Sequence, residues 1–212
     1  MRALRTPFFS VNPKSYIYGE QALKIAKYAD SRAEKYDIDV FFTAQLVDIP
    51  QIKRETRHLI LCAQHMDGIV PGRGMGHVLP EALVAAGVEG VILNHAEKPM
   101  TIGELVRAVR RAKELGLIVT ICADSVEEVR AVATLQSDIM ICEETSHIGT
   151  GVTSDLSYMA VSYTHLTEVD SKKQQSAIIV AFLLSMVFFV MMIIYSLRLN
   201  GKLEVAGLHI VM

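Results

Sequence analysis

The chain has 212 residues, 21 Lys and Arg against 23 Asp and Glu, and a net charge of −2. Near-neutral balance without a basic block argues against a nucleic-acid surface, and the length allows one ordinary domain with a sizeable core. Mean hydropathy is high at +0.32, and the excess sits between Ala177 and Leu197, which include no charged residue.

The predicted elements alternate. Phe8–Asn12 reads as a strand that Pro13 stops, having no N–H for the ladder, so Lys14 projects from a strand end. From Gly19 to Lys35, Ala22, Leu23, Ile25, Ala26 and Ala29 recur at helical spacing. Val40–Ala44 is a second strand, followed by a short helix near Ile49–Thr56, and Leu59–Ala63 is a third. A glycine-rich loop, Gly68–His77, leads to a helix from Pro80 to Ala86. Val91–Asn94, the polar-ended part of an apolar run from Gly90, is the fourth strand. Thr101 and Glu104 form a capping box for a helix reaching Leu115, with Gly116 at its C-cap. Leu117–Cys122 is the fifth strand. Ser125 and Glu128 form a second box before another helix, and Asp138–Cys142 is the sixth strand.

Strands alternating with helices call for a parallel sheet, either a (β/α)₈ barrel or an open doubly wound sheet. The first loop, Pro13–Gly19, lacks the GxGxxG of dinucleotide-binding sheets. Polar residues collect at strand ends: Asn12 and Lys14, Gln64 and His65, Asn94, His95 and Glu97, and Glu143. A barrel places its active site there. Cys62, Cys122 and Cys142 lie in or at the end of apolar runs without a CxxC pair or a His at ligand spacing, and read as buried thiols of a reducing cytoplasm, with no metal site. No secretory signal opens the sequence.

Val11-Asn12-Pro13-Lys14, Ala63-Gln64-His65-Met66-Asp67, Leu79-Pro80-Glu81-Ala82-Leu83 with Ala86-Gly87-Val88, Leu93-Asn94-His95-Ala96-Glu97, and Glu143 with Ile148-Gly149-Thr150-Gly151 resemble, in order and spacing, the triosephosphate isomerase family and its shorter archaeal-type branch. Three positions depart from the family's usual residues: Ala96 for Ser, Glu144 for Pro and Met75 for Thr. The resemblance implies a TIM (β/α)₈ barrel, incomplete at about six βα units, that interconverts dihydroxyacetone phosphate and glyceraldehyde 3-phosphate through an enediolate.

It also implies site roles. Glu143 is the base, His95 a neutral electrophile on the carbonyl oxygen, and Lys14 and Asn12 stabilise developing charge and contact the substrate. Glu97 holds a partner such as the Lys, and Gly149 offers a backbone N–H to the phosphate from a lid over residues 144–151. The implied partner is a small sugar phosphate, with no cofactor, no metal and no nucleic acid. A homo-oligomer is implied, the loop at Gly72–His77 docking into a neighbouring subunit and His65 and His77 lying at that contact.

The isomerase domain is expected over residues 1–151. Residues 152–175 show no strand–helix period and read as an irregular linker and chimeric junction. Residues 176–198 read as a transmembrane helix, since 21 uncharged residues at 1.5 Å each span a hydrocarbon layer of roughly 30 Å, and 199–212 form a short tail. Six units alone leave two sheet edges open. The alternative to a cytoplasmic enzyme is therefore an inactive fragment joined to a membrane segment.

Overall fold

The computed structural model describes Arg5, residues 8–142, and short segments at 177–179 and 209–211. Strands and helices alternate as β1 (Phe8–Asn12), α1 (Gly19–Tyr36), β2 (Asp39–Ala44), α2 (Ile49–Glu55), β3 (Leu59–Ala63), α3 (Pro80–Ala85), β4 (Gly90–Leu93), α4 (Ile102–Glu114), β5 (Ile118–Ala123), α5 (Val126–Ala133) and β6 (Ile139–Cys142). These six strands are parallel in sequential order and curl as an incomplete TIM barrel.

Alternation along each strand gives the array two apolar faces. Val40, Phe42, Leu59, Leu61, Val91 and Leu93 belong to the larger core shared with Leu23, Ile49, Ile52 and Leu105 of the helices. Phe8, Phe41, Ile60, Cys62, Ile118 and Ile139 form a separate cluster on the opposite, inner face. Burial on both sides is why these strands read as unbroken apolar runs.

Helix α4 shows how local chemistry places the ends of a unit. Leu105, Ala108, Val109 and Ala112 form its buried stripe, and both halves of the Thr101–Glu104 capping box are made. At its far end Gly116 takes φ +73, Leu117 N–H donates to the Ala112 carbonyl at 2.9 Å and Gly116 N–H to that of Lys113 at 3.1 Å. That is a Schellman stop, which needs the left-handed residue that glycine supplies most easily.

The second expected box is only half formed. Glu128 N–H donates to Ser125 Oγ at 3.2 Å, but the Glu128 carboxylate accepts from the N–H of Asp124 at 2.8 Å. The carboxylate reaches one residue past the cap and steadies the exit of β5 instead.

Two further strands meet the edges of the arc. β7 (Ala177–Ile179) pairs parallel with β6, and β8 (His209–Val211) pairs antiparallel with β1. The sheet is thus a linear series of eight strands, and β8 runs against the direction a closing barrel strand would take.

This corrects one expectation: both edges of the six-strand arc carry a partner. Of the apolar run expected as a membrane helix, the described residues 177–179 form a strand. An uncharged β-branched run is ambiguous between buried helix and strand, and the unpaired groups along β6 favour the strand. Among the described residues no helix is long and apolar enough to cross a membrane. Glu143, the expected lid at 144–151, the linker and the rest of the apolar segment lie outside the described residues.

Candidate active site at the carboxyl ends of the strands

Loop 1 (residues 13–18) begins where Pro13 ends the β1 ladder. Lys14 then adopts φ +50, a left-handed conformation costing roughly 1–2 kcal/mol for a residue with a Cβ. Three side chains hold it there. Its N–H donates to Asn12 Oδ1 at 3.0 Å, and its carbonyl accepts from Gln64 Nε2 at 2.9 Å and Gln45 Nε2 at 3.3 Å. At about 1 kcal/mol for each bond made, these contacts outweigh the strain.

The backbone conformation fixes where the ammonium goes. Lys14 is 7% exposed, and its Nζ donates to Glu97 Oε1 at 2.7 Å. A buried cation without a partner is costly, and this carboxylate supplies the partner. Glu97 itself is 58% exposed, and water shares its solvation.

Loop 4 (residues 94–101) leaves β4 through Asn94, also left-handed at φ +56. Lys98 N–H closes a turn on the His95 carbonyl at 2.7 Å. Glu97 N–H donates to His95 Nδ1 at 3.1 Å. A backbone N–H can only donate, so Nδ1 is the acceptor, and the neutral ring carries its proton on Nε2. The ring then offers a hydrogen-bond donor without a positive charge.

Asn12, Lys14, Gln64, Ile92, His95 and Glu97 line one cleft of about 260 Å³. It holds two lysines, the Glu97 carboxylate paired with Lys14, a neutral imidazole and amide groups around an apolar floor. That set suits a small, anionic, carbonyl-bearing molecule. The geometry therefore brings together Asn12, Lys14, His95 and Glu97 from two strand ends. Glu143 follows directly after β6 in sequence but, like Gly149, lies outside the described residues.

Loop 3 (residues 64–79) borders the cleft through Gln64 and His65. His65 Nε2 and His77 Nδ1 lie 3.4 and 3.3 Å from the two carboxylate oxygens of Asp67, so both histidines meet a carboxylate inside their own loop. Val70 and Met75 are exposed on this loop. Burial pushes the Cys62 thiol well up and that of Cys142 up to about 12. All three cysteines are buried and outside any disulfide.

Sequence reasoning gave no role to Gln45, or to the amide groups of Gln64 and Asn94. The available signal was an amide side chain directly after an apolar run, at three strand exits.

A parallel β/α array with its polar cleft at the carboxyl ends of the strands defines a barrel-type small-molecule site. The family model described as triosephosphate isomerase matches residues 7–179, which runs through the linker expected at 152–175. The triosephosphate isomerase of Methanobacterium bryantii is 36% identical over 149 residues, covering 69% of this chain and 66% of the relative. That of Methanocaldococcus jannaschii is 35% identical over 144 residues, covering 67% and 65%, and that of Methanosarcina mazei 36% over 149, covering 69% and 67%. The chain belongs to the triosephosphate isomerase family. It spans about two thirds of the length of these relatives.

Proposed function

We propose that the chain interconverts dihydroxyacetone phosphate and glyceraldehyde 3-phosphate. One observation carries the reading: a buried Lys14 ammonium and a His95 ring offering Nε2–H line the same cleft. Glu143 takes a proton from the carbon beside the substrate carbonyl. As the enediolate forms, its oxygens are met by His95 Nε2–H and the Lys14 ammonium, with Asn12 orienting the group. Once a hydroxyl proton has passed between the two enediolate oxygens, return of the carbon-bound proton to the neighbouring carbon completes the exchange of aldose and ketose. Gly149 supplies an N–H to the phosphate. Only a proton moves between carbons, so the reaction calls for no organic cofactor.

A reducing cytoplasm suits three buried cysteines that form no disulfide. Self-association through loop 3 would bury the exposed Met75 and Val70. The test is turnover of dihydroxyacetone phosphate by the whole 212-residue chain, alongside His95→Gln. Turnover that His95→Gln lowers by about 10²-fold or more supports the reading, and no turnover by the unchanged chain overturns it.

A further inference from the structure

Asn94 does not line the cleft, yet its side chain spans the loop that carries three residues that do, His95, Glu97 and Lys98. Its Oδ1 accepts the N–H of Met100 at 3.0 Å, and its Nδ2 donates to the Cys122 carbonyl on β5 at 3.1 Å. The first bond clasps residues 95–99 into a closed loop. The second fixes that loop to the neighbouring strand. Met100 directly precedes Thr101, the cap of α4, so the clasp ties the exit of β4 to the start of the helix.

Inside the clasp lie the Lys98–His95 turn and the Glu97 N–H that bonds His95 Nδ1. The position of that N–H decides which ring nitrogen accepts and where Nε2 points. The same turn sets how far the Glu97 carboxylate stands from Lys14. Residue 94 must also adopt φ +56, which Asn tolerates better than most residues. Glycine would meet the backbone demand and lose the clasp. Aspartate would keep the acceptor for Met100 but set oxygen against oxygen at Cys122.

We infer that Asn94 is a positioning residue: its carboxamide holds loop 4 so that His95 presents Nε2–H, and not Nδ1–H, to the cleft. The inference deepens the proposed isomerase reading and rests on it for the chemistry, but its structural core is testable without turnover.

The experiment is imidazole ¹⁵N–¹H NMR on the full chain, with the His95 signals assigned by their loss in His95→Gln. The unchanged protein should show one neutral form, with Nδ1 unprotonated and Nε2 protonated. Asn94→Gly should show the two neutral forms in exchange, and Asn94→Asp a smaller departure. If turnover is measurable, Asn94→Gly should lower kcat by about 10²-fold, the scale of an ångström-sized misplacement, with KM nearly unchanged. An unchanged His95 pattern in Asn94→Gly overturns the inference, as does equal loss of kcat in a variant whose ring signals have not moved. Should Asn94→Gly fail to fold, the pattern in Asn94→Asp decides in the same way. Absence of turnover in the unchanged chain removes the isomerase reading and leaves the NMR result standing.

Discussion

Loops 1 and 4 leave the sheet with the same backbone irregularity, a non-glycine residue at φ +50 or +56, and secure it differently. In loop 1 the left-handed residue is itself the charged group, Lys14, and amides from three strand exits converge on its backbone. In loop 4 the left-handed residue is the amide, Asn94, and the group it serves comes next in the chain. Loop 1 is therefore held from outside, across the ends of β2 and β3, whereas loop 4 is clasped by its own first residue and one carbonyl of β5. Damage to β2 or β3 should reach Lys14 directly, and His95 only at second hand, through the Lys14–Glu97 pair.

The comparison breaks first at the reactive ends. Lys14→Met removes the charge but keeps the stem, and kcat/KM for triose phosphate should fall by about 10³-fold, the upper range for one preorganised donor. Steady-state kinetics measure this, and a loss below tenfold would show that the ammonium does not face developing charge.

A double substitution, Gln45→Ala with Gln64→Ala, tests external support. The Lys14 carbonyl loses both side-chain donors, at a cost of about 2 kcal/mol where the group stays shielded from water. Denaturant unfolding should show that loss, kcat should fall, and the His95 ring signals should move far less than in Asn94→Gly. Movement of the His95 signals as large as in Asn94→Gly would mean that the Lys14–Glu97 pair, and not the Asn94 clasp, governs the ring.

Thr101→Ala probes the far anchor of loop 4. It removes the cap from α4 at a cost of about 1 kcal/mol, read as a lower Tm. Because the Asn94 clasp closes before the cap, at Met100, kcat should change far less than stability does. An equal or larger loss of kcat would place the control of His95 in the helix start.

Much of this was legible beforehand, for reasons that differ by element. Leu59–Ala63 and Phe8–Asn12 are buried or half-buried along their length, so strand bounds could be read from apolar runs alone. The site residues were legible because a polar group directly after such a run has few structural reasons to be there. The left-handed turn at Lys14 was not, since lysine carries no preference for it and its amide partners lie 31 and 50 residues away in sequence. Strand β7 escaped because Ala-Ile-Ile reads as strand or buried helix alike, and only a neighbouring edge decides. The Glu128 carboxylate was placed on Ser125 because sequence spacing cannot tell a reach of three residues from one of four.

The smallest effect comes from loop 3, which is closed by charge where the other two use neutral amides. Asp67 Oδ2 accepts the N–H of Val78 at 2.6 Å, and Asp67 N–H donates to the Val78 carbonyl at 3.0 Å, so one residue pair shuts the base of the loop. Partial burial pushes the Asp67 carboxyl up, but the Val78 N–H together with His77 and His65 outweighs it, and the group sits below its usual 3.8. A carboxyl depressed by folding contributes stability that is present above the usual value and is lost as pH falls from there through the folded one. Amide exchange over residues 68–77, corrected for its intrinsic pH dependence, should therefore rise as pH drops below about 4, while protection of Lys14 and Met100 N–H holds. Asp67→Asn keeps an acceptor for Val78 and has no proton to take up in this range, so it should flatten the loop 3 response with little change near neutrality. If the response persists in Asp67→Asn, another carboxylate governs the loop, and the contrast between charged and neutral closure no longer separates loop 3 from loops 1 and 4.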